Sequence, residues 1–336
     1  MDLAAATSNL VFVYSLASAS DTFGEETTEL HEIIQASARQ DRVLSPSSDV
    51  EIYNIVKQRL FASVSQEAAE NAAKEYLNTY RNSRTSLPEG CKDARYVQAI
   101  ESSYPFHPEL FDLLTKKIAS IPEFQRTRGA LRLFAYLIRH LWKVRPSHLG
   151  LIHPHHVPVG VDPEITSELT SRLQRPLMRL PVQADIYNKD GREAHAQVQD
   201  KEWLDAGKPP FSTWVGRTIF LHSLPQGIAA GIRRTELNLS MLAPGLENGF
   251  VERALEKLTS VAWHLEDDPI TTIARFKEEP SINKIIAEEK ELVGVSEAKE
   301  DLRSRRDTIF ANKFWLNRDS REMKLSQKHL LLRYVQ

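Results

Sequence analysis

The sequence predicts a mainly α fold that ends in a winged helix-turn-helix, with a short remnant of α/β character at its start. Three observations carry this. Apolar residues recur at helical spacing through most of residues 46–145. Residues 211–276 read as helix, helix, helix, hairpin, the plan of a winged helix-turn-helix. The apolar run Leu10–Leu16, rich in Val and aromatics, reads as a strand buried on both faces, yet only Arg42–Ser45 offers it a companion. One or two strands do not make a stable parallel sheet.

The elements follow in order. Pro46 and Ser47 lead into Ser48 and Glu51, an S-x-x-E capping box, and Ile52, Ile55, Val56, Leu60 and Val64 then repeat at helical spacing. Further helices fit Gln66–Tyr80, Ala94–Ser102, Pro108–Ser120 and Arg128–Lys143, with a loop from Ser83 to Asp93. Residues 144–162 change to Pro, His and Gly and read as a connector, Glu164–Leu173 as a short helix, and residues 175–210 as polar and irregular. Thr213–Ser223, Thr235–Leu242 and Asn248–Ala262 are the three helices of the winged plan, and Trp263–Glu266 with Thr272–Phe276 its hairpin. Residues 281–306 read as a charged helix before a basic tail.

The chain has 336 residues, which suggests two or three domains. Hydrophobic residues at 41% and charged residues at 26% exclude a disordered chain, and a net charge of −2 gives no global pull toward nucleic acid or anionic lipid. The single cysteine, Cys91, excludes an intramolecular disulfide framework or a Cys-rich zinc site. No apolar run reaches the ~20 residues needed to span a bilayer. The N-terminus has no basic region ahead of an apolar one, so the expected location is the cytoplasm.

No self-contained catalytic motif is visible. The only Gly-Lys pair, Gly207–Lys208, is followed by Pro209, so no phosphate loop of the form G-x-x-x-x-G-K-[ST] exists, and no apolar strand ends in Asp-Glu to hold magnesium. The strongest local signal is Phe124–Arg145, which carries Arg126, Arg128, Arg132, Arg139, Lys143 and Arg145 and no acid. At ~100° per residue, Arg128, Arg132, Arg139 and Lys143 fall within roughly 60° of one another. This basic stripe is either a solvated face of a core helix or a phosphate or nucleic-acid patch, with Arg126 and Arg128 at a helix N-terminus that itself favours anions. His153, His155 and His156 read as a polar connector rather than metal ligands, His107 as an ordering residue at a helix entrance, and Cys91 as an inert thiol. The third helix of the winged plan offers Glu252, Arg253, Glu256 and Lys257, balanced in sign, and residues 211–280 hold seven Lys/Arg against nine Asp/Glu. That balance does not favour DNA binding there.

Tyr104-Pro-Phe-His-Pro-Glu-Leu through Phe124-Gln-Arg-Thr-Arg-Gly-Ala-Leu-Arg-Leu resembles the large prokaryotic AAA+ ATPases classed as domain of unknown function 499, found in phage-defence and restriction-like gene clusters. Asp21-Thr-Phe-Gly-Glu-Glu, Thr218-Ile-Phe-Leu-His-Ser-Leu and Ser281-Ile-Asn-Lys-Ile-Ile-Ala-Glu extend the likeness over roughly residues 10–310. The resemblance implies that residues 1–45 are the sensor 1 region of an AAA+ α/β core, with Ser15 or Ser18 near the sensor position. It implies that residues 46–150 are the helical lid, with Arg128, or else Arg126, as sensor 2. Residues 151–210 would be an irregular connector, 211–280 the winged-helix domain and 281–336 a charged helix and tail. Family members carry Walker A and Walker B upstream of this point and this chain has neither, so the expectation is a fragment without a complete nucleotide site. ATP and Mg would bind only in the context of a complete protein. Expected partners are the missing ATPase core or other subunits of a defence complex, DNA, and a second copy through residues 10–16, with no membrane. The alternative is a non-enzymatic helical and winged-helix module for interaction or DNA-binding regulation.

Overall fold

In a computed structural model of the chain, the structure describes residues 49–314 apart from residues 147–148, 228–229, 248 and 293. The strand expected at Leu10–Leu16, Ser15, Ser18 and the Ser48 end of the capping box lie outside the described residues.

The first half is helical because its apolar residues keep one helical face. Helix α1 spans Asp49–Leu60 and α2 spans Gln66–Asn82. Ser65 caps α2 by accepting from the Ala68 N–H at 3.2 Å. Ala69, Ala73, Tyr76 and Tyr80, spaced by four, three and four, are its buried face. After α3 (Ala94–Ser103), α4 (Pro108–Asp112) does not continue as one α-helix to Ser120. It loosens into a π turn at Leu113–Lys117 and tightens into a 3-10 turn at Ile118–Ser120. Helix α5 runs Arg126–Val144. Its buried residues Ala130, Leu133, Phe134 and Leu137 form one stripe, and Phe134 packs 4.5 Å from the Phe106 ring and 5.5 Å from Phe111. Burying Leu133, Phe134 and Leu137 is worth about 1.5–3 kcal/mol each. Trp142, near the end of α5, is 74% exposed.

Residues 151–210 are more ordered than their composition suggests. A 3-10 turn at Pro154–His156 leads to α6 (Pro163–Leu169), and short helical turns occupy 176–186. Helix α7 spans His195–Asp205 where an irregular stretch is expected. Its buried residues are Ala196, Asp200 and Trp203, so an acid sits mid-stripe and masks the helical period.

Helix α8 (Phe211–Ser223) is buried along nearly its whole length. Gly216 faces Ile186 and the Leu258 side chain of α10, which lies 3.6 Å from the position of an added Cβ, an ordinary contact distance. Strand β1 (Ile232–Arg233), α9 (Arg234–Met241), α10 (Phe250–Val261), β2 (Leu265–Asp268) and β3 (Ile273–Phe276) follow. The sheet is antiparallel in the order β1-β3-β2, with Ile232 opposite Ala274 and Leu265 opposite Phe276. Strand β1 has no counterpart in the sequence expectation, since two residues carry no alternation to read.

Buried side chains from Val56 to Phe276 form one continuous cluster, joined by α8. A second cluster gathers Tyr76, Tyr80, Ile100, Leu151, Leu239 and Leu242. The described residues from Ser281 on form a separate unit, in which α11 (Ile282–Leu292) and α12 (Val295–Phe314) replace the single charged helix expected, with Gly294 between them. Among the described residues no helix is long and apolar enough to cross a membrane.

Candidate functional site

The amino end of α5 is built by a tight turn. Pro122–Phe124 form a 3-10 turn, Gln125 adopts φ 63°, and Phe124 is buried beneath the helix start. The chain folds back so closely that a Cβ on Gly129 would lie 1.9 Å from the Phe124 carbonyl oxygen. Only glycine fits there, and the next residue back, Arg128, is held on the exposed side. Arg126 is the first residue of α5, and its side chain lies outside the described part.

The rest of the basic stripe meets acids from α6. Arg132 donates through Nε to Glu168 at 2.8 Å, and Glu168 also accepts from Arg172 at 3.2 Å. Arg139 pairs with Glu164 and lies over the Tyr136 ring at 5.0 Å. Lys143 is exposed, and Arg145 covers the Trp142 ring at 5.9 Å. Two of the four stripe residues therefore clasp α5 to α6. The Arg139–Glu164 pair is exposed on both sides, so water screens it and it holds the two helices only weakly. Arg128 and Lys143, at the two ends, face solvent without a carboxylate partner among the described residues.

The histidines form a buried aromatic layer against α2. The His153 Nδ1–H donates to the Ser240 carbonyl at 2.8 Å, so its Nε2 accepts from the Tyr76 hydroxyl at 2.7 Å. His107 has the opposite tautomer. Its Nδ1 accepts from the Glu109 N–H at 3.2 Å, capping α4, and its Nε2–H donates to Tyr80 at 2.8 Å. His107 stacks on His153 at 4.4 Å, and His155 stacks on Trp214 at 4.1 Å. His156 Nδ1 accepts from the His153 N–H. Burial pulls His153 down to about 4 and His156 to about 3, and holds His107 and His155 well below the usual imidazole range. Burial raises Tyr76, and it pushes Glu109, which accepts from the Tyr96 hydroxyl at 3.2 Å, up to about 7. With the ring nitrogens of His107 and His153 committed, no group of three or more potential ligands is placed to hold a metal ion among the described residues. Cys91 is buried and its thiol is raised by burial, which suits an unreactive side chain.

Two buried acids order the C-terminal part. Asp200 accepts from the Ser212 N–H at 2.7 Å and the Thr213 N–H at 3.0 Å, capping α8. Asp185 accepts from the Trp263 and His264 amides and from His195 Nδ1 at 2.7 Å, tying 176–186 and α7 to the start of β2. On α10, Arg253 bonds Glu247 and Lys257 bonds Glu202, and both cations lie over Trp203, at 5.2 and 5.5 Å. The roles of Asp185, Asp200, Glu164 and Glu168 carry no local sequence signal, because each joins its own element to a different one in the fold.

These features define a mainly helical protein on one principal core, with an exposed arginine at the start of its longest helix in that core. A family model described as the DUF499 second domain matches residues 47–231, more than half of the chain, and the chain belongs to the DUF499 family. The match starts just before α1 and ends just before β1. No curated protein and no solved structure matches the chain.

Proposed function

We propose that the chain supplies the lid and winged-helix portion of an AAA+ ATP-binding assembly, linked to phage defence or DNA restriction, and does not hydrolyse ATP by itself. The observation that carries this reading is Arg128. It sits exposed at the amino end of α5, on a turn that only Gly129 permits, within a domain of the DUF499 family. A guanidinium so held suits a sensor 2 role, reaching a γ-phosphate bound by another part of the assembly. Arg126 is the second candidate, Ser15 and Ser18 are the sensor 1 candidates, and ATP and Mg would be held by a core carrying Walker A and Walker B. The order helix, strand, helix, helix, hairpin with sheet order β1-β3-β2 supports the winged-helix reading of residues 211–280. The test is ATP turnover by the purified chain. None above background is expected, because phosphate cradling and magnesium positioning supply most phosphoryl-transfer catalysis. Robust turnover abolished by Arg128→Ala would overturn the proposal.

A second reading, a non-enzymatic interaction or DNA-binding regulatory module, draws support from α10. There Arg253 and Lys257 are engaged by acids, which favours a protein partner over a nucleic acid at that face.

A further inference from the structure

A groove of about 500 Å³ lies between α9 and α10, closed at one end by β2. Its apolar part is Leu237, Val251 and Leu255, and its polar part carries the carboxylates of Glu252, Glu256 and Asp267. Among the described residues Arg234 is the only cation lining it, and it is already bonded to Asp267 Oδ2 at 2.5 Å. Asn238 fixes Glu252 by donating to it at 2.8 Å, and the same amide nitrogen donates to the Ser86 carbonyl at 3.1 Å. The remaining cations of α10, Arg253 and Lys257, are bonded to Glu247 and Glu202 and do not line the groove.

Acidity alone would not make this a binding site. The second observation is Asp267 itself. Its side chain is 8% exposed, and its Oδ1 is buried with no hydrogen-bond partner. A buried carboxylate oxygen left without a donor is costly and marks where a donor is wanted.

We propose that this groove receives an arginine or lysine side chain from a basic segment of a partner protein. The cationic head takes Asp267 Oδ1 and the Glu256 carboxylate, displacing the half-exposed Arg234 side chain. The aliphatic stem lies along Leu237, Val251 and Leu255, as such stems do on apolar surface. A phosphate backbone in the same groove would meet three carboxylates against the single cation Arg234. The proposal is independent of the ATPase reading, since it uses only residues 234–267.

The test is fluorescence polarisation on the full chain, with a labelled nonapeptide of alternating Arg and Ala and a second peptide with citrulline for Arg. Saturable binding of the Arg peptide is expected, weakened at least tenfold by citrulline, by Glu256→Gln and by Asp267→Asn. Glu256 is exposed, so its variant folds normally and separates lost binding from lost structure. No saturable binding, or equal binding by the citrulline peptide or by the Glu256→Gln chain, would overturn the proposal. So would a DNA duplex that binds the chain and displaces the labelled peptide.

Discussion

The buried histidines make a direct statement about pH. His107, His153, His155 and His156 are neutral in the fold, and burial holds each below its ordinary value. The unfolded chain binds protons at these groups near pH 6.5, while the folded chain resists until about 4 for His153 and about 3 for His156. Stability is therefore fully present above pH 6.5 and falls as pH drops toward 4, at up to about 1.4 kcal/mol per pH unit per histidine. Glu109 works the other way. Raised to about 7, it stabilises the fold at low pH and loses that contribution as pH rises through 7. Its proton uptake between 7 and its ordinary value opposes one histidine, not four. Glu109→Gln is expected to steepen the loss of stability between pH 6.5 and 4 in urea unfolding. An unchanged or shallower pH slope would mean that Glu109 is not protonated in the fold. At this scale the sequence was partly legible. His107 at a helix entrance and Cys91 as an inert thiol follow from their neighbours Pro108 and Gly90. The Tyr76–His153 and Tyr80–His107 bonds do not, because they join residues 77 and 27 positions apart.

Among the elements, α5 depends most on one residue. Gly129→Ala raises helix propensity by about 1 kcal/mol, but its Cβ would meet the Phe124 carbonyl at 1.9 Å. A backbone atom so close cannot give way cheaply, and overpacking of this kind costs about 1–3 kcal/mol. The clash is expected to win, with a net loss of stability in denaturant unfolding. A gain in stability would show that the turn at residues 122–125 relaxes freely. Helices α2, α5, α8 and α10 were readable because their apolar residues recur at three and four. Leu255 and Leu258 of α10 are buried as that spacing requires. Helix α7 was not readable, since Asp200 occupies its inner face to cap α8. The basic stripe was legible as a stripe, while its neutralisation by Glu164 and Glu168 is tertiary and leaves no local signal.

Over the whole molecule, the sequence suggested separate segments because composition changes at residues 144–162 and again at 175–210. The packing joins what composition divides. Trp214 of α8 stacks on His155, and Phe211 stacks on Phe250 at 4.2 Å, so the central helix belongs to both halves. In the proposed function, Arg128 would serve a nucleotide bound elsewhere in an assembly. The measurement is ATP turnover by the assembly the chain forms with a polypeptide bearing Walker A and Walker B. Arg128→Ala is expected to lower turnover roughly tenfold or more, while Arg139→Ala, whose guanidinium is held by Glu164, leaves it nearly unchanged. Turnover indifferent to Arg128→Ala would contradict the account.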